Sequence, residues 1–278
     1  MFKSLRESKT GMFGVFIVLL VVFMALTAQW IAPYDPVKQD LMHKLANPVW
    51  AGGESSHFFG TDQLGRDILT RIIYGSRVTI LVAFSGTICA GLLGVTLGAL
   101  AGYYGKWVDA LIMRIVDIQL SFPFILLAMF VAAVLGRSLV NVVIIAAISN
   151  WVNYARLVRG EILSVREMDY IEAIRSVGSK NGRIILHHII PNVISPVIVQ
   201  ATLGMARIVT MEASLSFLGL GVPLETPTWG RMLAEGRDYM LTSPWLAIIP
   251  GIAITLTVLG VNLFGDWLRD YLDPKLDV

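Results

Sequence analysis

Residues 166 to 192 read REMDYIEAIRSVGSKNGRIILHHIIPN, a charged segment between two apolar runs. Its first half has apolar residues at positions i, i+3, i+4 and i+7, the spacing of one face of an α-helix. These residues are Tyr170, Ala173, Ile174 and Val177. Charged and polar side chains occupy the other faces, so this helix is too polar for a bilayer and too apolar to remain alone in water. The pattern predicts a short amphipathic helix that binds in a groove.

Gly178 follows the last residue of this apolar face, where glycine commonly provides a left-handed helix cap. Ser179 is placed to N-cap a second short helix that runs toward Pro191. The segment is therefore predicted to be a helix-turn-helix element.

The spacing of Glu172, Ala173, Gly178 and Pro191 resembles the EAA loop of the permease subunits of ABC importers, in which the loop forms coupling helices that dock on a cytoplasmic ATPase. Further stretches resemble the C-type permease subunit of the dipeptide, oligopeptide and nickel group. They are HFFGTDQLGRDILTRIIYGSR (57 to 77), GYYGKWVDALIMRIVD (102 to 117), SFLGLG with TPTWGRML (216 to 233) and GDWLRDYLDPK (265 to 275). Two positions depart from the general pattern, Ile174 and His188, and the peptide-importer group often has histidine at the second.

This resemblance implies a type I ABC importer permease fold with six transmembrane helices. It assigns ATPase coupling to Tyr170, Glu172, Ala173, Ile174, Val177, Gly178 and Pro191. The implied partners are a homologous B-type permease subunit, two cytoplasmic ABC ATPase subunits, an extracytoplasmic solute-binding protein and membrane lipid. ATP and Mg would be bound by the ATPase subunits, so no cofactor is expected in this chain. The solute stays open between dipeptides, oligopeptides, glutathione and nickel complexes, because the binding protein largely selects it.

Composition indicates a membrane protein without reference to any family. Of the 278 residues, 55% are hydrophobic and only 15% are charged, and the mean hydropathy is +0.69. These values lie far from those of soluble domains. The net charge of +2 is too small to suggest a nucleic-acid partner. A single cysteine, Cys89, excludes an internal disulfide framework.

Six apolar runs are each long enough to cross a hydrocarbon core of about 30 Å. They cover residues 12–31, 78–101, 109–135, 139–159, 189–217 and 244–268. The first run exceeds a signal-peptide core and lacks a small-residue cleavage site, so it is predicted to be retained. The chain is thus predicted to be an all-α integral membrane protein, and the resemblance implies that its membrane is the bacterial inner membrane.

The predicted organisation has three parts. Residues 1–32 are the cytoplasmic N-terminus and first helix, residues 33–76 an extracytoplasmic segment, and residues 77–278 a permease core with the coupling loop at 161–188. Lysine and arginine are more frequent in the segments that would share a side with the N-terminus, which places both termini and the coupling loop in the cytoplasm.

Two segments have patterns that predict local packing. Residues 67–74 alternate between apolar and charged sides, which predicts an interfacial helix along the membrane, acting as a lid or as a contact for an external partner. Gly94 and Gly98 form a small-xxx-small pair, which predicts close contact between two helices inside the membrane.

Four charged residues fall inside the predicted spans, where ionisable groups need partners or water. Arg114 and Asp117 are three residues apart and are predicted to pair on one helix face. Arg207 and Glu212 are five residues apart and about 140° apart around the helix, so they do not pair tightly with each other. Both are pathway candidates, and pairing with other elements remains open as the alternative.

No nucleotide-binding G-x-x-x-x-G-K-[ST] loop occurs in the chain, so it is not expected to be an enzyme. His187 and His188 diverge by about 100° on a helix, which argues against a shared metal ligand set. The favoured function is a permease subunit driven by partner ATPases. The alternative is a non-ABC secondary transporter or a membrane scaffold. Secondary transporters typically have inverted repeats. The charged loop at 161–188 argues against such repeats, because the first half of the chain has no counterpart of it.

Overall fold

The computed structural model describes residue 5 and residues 8–223 and 225–272 of the chain. The predicted cytoplasmic ends of the chain, residues 1–4, 6, 7 and 273–278, lie outside the described residues. Throughout the described part the regular structure is helical. The α-helices are α1 (Lys9–Ile31), α2 (Ile68–Tyr104), α3 (Lys106–Leu120), α4 (Phe124–Leu135), α5 (Leu139–Val165), α6 (Asp169–Ser176), α7 (Asn181–Ile184), α8 (Ile190–Phe217), α9 (Trp229–Arg237) and α10 (Trp245–Leu272).

Within these ranges, four helical stretches are long and apolar enough to cross a membrane: α1, α2, the continuous stretch Asn181–Phe217 and α10. Helices α3 and α4 together form a fifth candidate, bent by 91° at the break between them. The predicted span over residues 109–135 is therefore divided into two helices, with a break between Leu120 and Phe124. Pro123 explains the break, because proline restricts the residue before it and cannot donate a helical backbone hydrogen bond.

Helix α5, at 27 residues, is long enough for the sixth span. Its polar residues, which include Asn150, Asn153 and Arg156, lower its hydropathy, and it is not among the candidates that length and hydropathy select. It packs lengthwise on α2. A Cβ atom on Gly94 would lie 2.4 Å from the Trp151 carbonyl oxygen, and one on Gly98 would lie 2.6 Å from that of Ala155. The predicted close packing at this glycine pair is confirmed.

At one end of the bundle, residues 33–67 pack with the start of α2, with α9 and with the start of α10. Trp229 is buried and its indole N–H donates to the Ile72 carbonyl oxygen at 2.9 Å. Ile68, Ile72 and Leu246 pack in the same apolar cluster. This end is therefore one packed unit in which the polar segment is joined to two of the long helices.

The predicted separate interfacial helix at residues 67–74 is wrong, because residues from Ile68 onward are the first turns of the 37-residue helix α2. Arg66, just before this segment, and Arg71, on its charged side, are both buried. Arg66 donates to Asp62 at 2.7 Å and to Glu235 at 2.9 Å, and Arg71 donates to Glu235 at 3.0 Å and also contacts Asp62. Carboxylates of Glu235 in α9 and of Asp62 in the loop before α2 thus contact these arginines, where an interfacial helix would have placed water.

Candidate functional site

Helix α6 is short, and apolar side chains lie on two of its sides. Ile171 is fully buried in an apolar cluster with residues of α2, α5 and α7, and Ile174 packs against the same cluster. Tyr170, Ala173 and Val177 instead face outward, and Val177 is 83% exposed. The predicted apolar face is real, but most of it remains uncovered within this chain. Ile171, which seats the helix, was missed; its three-residue spacing to Ile174 was the available signal.

Gly178 ends α6 with φ +80°, and its N–H donates to the Arg175 carbonyl oxygen at 3.0 Å. The predicted left-handed turn at this glycine is confirmed. The predicted cap at Ser179 is wrong, because Lys180 occupies the N-cap position of α7 and makes no side-chain capping bond.

The second helix does not end at Pro191. Helix α7 continues through a π-helical turn, Ile185–Ile189, into α8, and Pro191 lies in the first turn of α8. Pro191 has no N–H to donate to the preceding turn, and the irregular π-helical turn lies directly before it. The predicted coupling segment from Asn181 onward and the predicted fifth span are thus one continuous helical stretch.

Three hydrogen bonds hold this loop on the bundle. The Tyr103 hydroxyl donates to Asn181 Oδ1 at 2.8 Å, Arg166 donates to the Gly102 carbonyl oxygen at 2.8 Å, and Asn192 donates to the Tyr170 hydroxyl at 3.1 Å. Beside α6 is a polar notch of about 280 Å³ whose lining includes Arg166, Glu167, Glu172 and Arg175. Charged side chains of both signs therefore border the uncovered apolar face.

A larger cleft of about 640 Å³ lies where the break between α3 and α4 meets α5, α8 and α10. Its walls combine apolar side chains with a set of polar ones. The polar residues are Ser149, Asn150, Asn153, Arg207, Thr210, Ser214 and Asn262. Arg207 is exposed in this cleft. The asparagines were not predicted, because the prediction rested on ionisable residues; amides within apolar runs were the available signal.

The two predicted pathway residues lie in different surroundings. Arg207 lines the cleft, whereas Glu212 is 1% exposed and is absent from the cleft lining. The Ser216 hydroxyl donates to Glu212 Oε1 at 2.7 Å, one turn further along α8. The structure therefore does not bring Arg207 and Glu212 together on one surface.

The predicted pair between Arg114 and Asp117 is wrong. Asp117 accepts from Arg156 of α5 at 2.6 Å, and Arg114 makes no ion pair with any described residue. Arg159 of α5 likewise donates to Asp109 of α3 at 2.6 Å. Carboxylates on α3 meet arginines on α5 because the two helices lie side by side at this end of the bundle.

A sequence profile of the family described as "Binding-protein-dependent transport system inner membrane component" matches residues 94–278. The chain belongs to this family. A second profile, the "N-terminal TM domain of oligopeptide transport permease C", matches residues 1–48. The resemblance seen in the sequence is confirmed: the chain is a permease subunit of an ABC importer, a multi-pass protein of the inner membrane.

Several curated relatives of this permease cover nearly its whole length. The dipeptide transport system permease protein of Alkalihalophilus pseudofirmus is 45% identical over 99% of this chain and 89% of its own length. The di/tripeptide transport system permease protein of Pseudomonas aeruginosa is 43% identical over 99% and 91%. The glutathione transport system permease protein of Pectobacterium atrosepticum is 42% identical over 99% and 89%.

Solved structures support the fold of the permease. An inward-facing MetNI methionine ABC transporter matches with a TM-score of 0.59 at 18% identity, covering 73% of this chain and 96% of the other. An amino acid ABC transporter with histidines matches with a TM-score of 0.56 at 16% identity, covering 73% and 94%. At these identities the likeness concerns the fold alone, and it confirms the predicted type I permease architecture.

Proposed function

We propose that this permease forms half of a pathway for di- or oligopeptides, or a related small solute such as glutathione, and that a partner ATPase drives it through α6. The solute class is supported by the relatives named for dipeptide, di/tripeptide and glutathione transport. The chain itself contributes a passage and a docking surface, and ATP with its Mg is bound and hydrolysed by the partner subunits.

The observation that carries the coupling proposal is the uncovered side of α6. Tyr170, Ala173 and Val177 are exposed on a helix that is already anchored by buried Ile171. An exposed apolar patch beside charged groups is typical of a protein-binding site. Glu172, at the edge of the polar notch, is available to a basic group of the ATPase. A rigid α6 would transmit motion of the ATPase to α5 and α8, because its anchor Ile171 packs in one cluster with residues of both helices.

The cleft at Arg207 supports the passage of a peptide. The exposed Arg207 guanidinium can bind a peptide carboxylate, and the amides of Asn153 and Asn262 can bond to peptide groups. Because the cleft is open, these contacts compete with water and hold the solute weakly. Weak binding favours release on the far side.

For the assembly we propose the arrangement that the sequence predicts. A homologous permease subunit completes the pathway, two ATPase subunits bind on the side of α6, and a solute-binding protein docks on the side of residues 33–67. In this arrangement α6 and both termini face the cytoplasm.

The docking proposal is tested with Val177→Asp in the complete complex. Val177 is 83% exposed, so a charge there leaves the packing of this chain intact but places a carboxylate in the apolar interface. We expect the ATPase subunits to be lost during purification, together with peptide-stimulated ATP hydrolysis. Ser176→Asp is the matched control, because Ser176 is exposed on the same helix and gains the same charge on a different side.

Wild-type ATPase binding by Val177→Asp would refute the docking face. Peptide uptake into vesicles is measured on the same preparations with and without ATP. Uptake that proceeds without the ATPase subunits would instead support the secondary-transporter alternative.

A further inference from the structure

An apolar cleft of about 350 Å³ lies at the end of the bundle formed by residues 33–67 and the start of α10. It is separate from the polar cleft at Arg207, and the two share no lining residue. No lining residue is charged. Its two walls contain Trp50 and Phe59 on one side and Trp245, Ile248, Ile249 and Ile252 on the other.

The wall formed by residues 49–59 is held in place by its own backbone. The N–H of Val49 donates to the Phe58 carbonyl oxygen at 3.2 Å, which closes the loop. Gly53 lies against Asn47, where a Cβ atom would come within 1.7 Å of the Asn47 carbonyl oxygen. The Trp50 and Phe59 rings meet edge to face at 5.8 Å. Because the wall is fixed in this way, the cleft is a preformed cavity.

The mouth of the cleft is continuous with an apolar stripe on α10. Ile248 and Ile252 are 48% and 51% exposed, and Leu256 and Leu259 continue the stripe at 42% each. Spacings of four, four and three residues place these side chains on one helix face. Helix α10 meets the criteria for a membrane span, so this stripe is exposed to hydrocarbon wherever no protein covers it.

The residues that line the cleft determine which class of ligand can bind there. The lining has no carboxylate, amide or hydroxyl side chain, and its polar groups are indole N–H groups, of which that of Trp245 is buried without a partner among the described residues. Water in the cleft would therefore lose most of its hydrogen bonds. A peptide terminus would also lack a partner among apolar walls. A hydrocarbon chain gains dispersion contacts with both walls. Trp50 and Trp245 lie at the start of the span, where tryptophan commonly marks the membrane–water interface.

We propose that this cleft holds an acyl chain of a membrane phospholipid, which lies between residues 50–59 and the first turns of α10. The lipid fills the gap that the protein leaves between its polar segment and the membrane. The proposal requires membrane insertion alone and not the solute or the coupling surface of the proposed function.

The test uses the complete complex in vesicles of a phospholipid that carries a photoreactive diazirine in its acyl chain. Adducts are mapped by mass spectrometry after illumination. We expect adducts on Trp50 or Phe59 as well as on Ile248 or Ile252. Ile252→Trp adds bulk at the mouth of the cleft and should remove the adducts on Trp50 and Phe59. Leu259→Trp, on the same stripe but outside the cleft, should leave them unchanged.

Three results would overturn the proposal. Adducts confined to the α10 stripe would show ordinary surrounding lipid only. Adducts present in the isolated subunit but lost in the complex would show that a protein partner covers the cleft. Undiminished labelling of Trp50 and Phe59 in a folded Ile252→Trp complex would show that the acyl chain does not lie in the cleft. Ile248→Trp is the second filling variant if Ile252→Trp does not assemble, and binding of the ATPase subunits reports assembly.

Discussion

Gly178 is the residue on which the turn between α6 and α7 depends. Its φ is +80°, and no other atom would lie within 4 Å of an added Cβ, so a substitution meets backbone strain and no steric clash. A branched residue in this conformation costs on the order of 1–2 kcal/mol. Gly178→Val should therefore displace α6 and lower uptake, while the protein remains in the membrane at a normal level.

Two variants sharpen this prediction. Gly178→Asn should retain more activity, because asparagine adopts the left-handed conformation more readily. Gly182→Val is the matched control, since Gly182 also has open space but no positive φ. Peptide uptake and copurified ATPase are measured for all three. Wild-type uptake by Gly178→Val would contradict the assignment of this loop as the coupling site.

Arg207 supplies the positive charge of the polar cleft. Hydrogen bonds to charged groups contribute about 1.5–3 kcal/mol when they are shielded from water, and water in the open cleft reduces this value. We expect Arg207→Ala to weaken the apparent affinity for peptide during transport by up to about tenfold. Arg207→Lys should recover part of it, and uptake of an amidated peptide should depend less on Arg207. Equal losses for free and amidated peptides would contradict carboxylate binding.

Glu212 remains a predicted pathway residue whose position calls for its own test. It is buried and bonded to Ser216, so Glu212→Gln keeps its size and can still accept that bond. If the residue acts through packing, Glu212→Gln should assemble and transport normally while Glu212→Ala should assemble poorly. Reduced uptake by a fully assembled Glu212→Gln complex would show that the carboxylate itself serves the pathway. Assembly is measured by copurification of the ATPase subunits.

At the scale of elements, the charged cluster of Asp62, Arg66, Arg71 and Glu235 joins the start of α2 to α9. Arg231 also donates to Glu235, at 3.0 Å. Burial alone would raise the pKa of Glu235, but Arg71 and Arg66 outweigh it and hold the pKa below the ordinary value of 4.5. Glu235 is therefore ionised at neutral pH, and its carboxylate links α9 to the start of α2.

This link predicts a pH dependence. A carboxylate whose folded-state pKa is lowered stabilises the fold above its unfolded-state value, and the stabilisation is lost as the pH falls through the folded-state pKa. The protection factors for amide hydrogen exchange at residues 61–72, corrected for the intrinsic exchange rate at each pH, should therefore fall in acid below about pH 4.5, the ordinary value. Glu235→Gln should weaken the link already at neutral pH and flatten this dependence. An unchanged pH profile in Glu235→Gln would contradict the assignment to Glu235.

At the scale of the whole molecule, the packed unit at residues 33–67 and the coupling loop lie at opposite ends of the long helices. We predict that the first faces the outside and the second the cytoplasm. Single cysteines at Ser55 and Ser179, in a background with Cys89→Ala, are treated with a membrane-impermeant thiol reagent. In intact cells only position 55 should react, and permeabilised cells should label both. Labelling of position 179 alone in intact cells would contradict this topology and indicate the opposite orientation in the membrane.

The sequence by itself determined the helical class, most of the membrane-spanning stretches, the left-handed turn at Gly178 and the close contact at Gly94 and Gly98. Each of these follows from properties of neighbouring residues along the chain: hydropathy over a run, helical spacing, or the absence of a side chain. The break at Pro123 also has a local cause, but it was not predicted, because the residues on both of its sides are apolar.

Only the tertiary structure decided which groups meet. Arg71 and Glu235 are 164 positions apart, and the pattern around Arg71 predicted water where a carboxylate lies. Helix α6 carries apolar residues on two sides, and its own sequence does not say that Ile171 is covered by this chain while Val177 is left exposed. Burial and charge pairing depend on which elements approach one another, and that approach is set by the packing of the whole bundle.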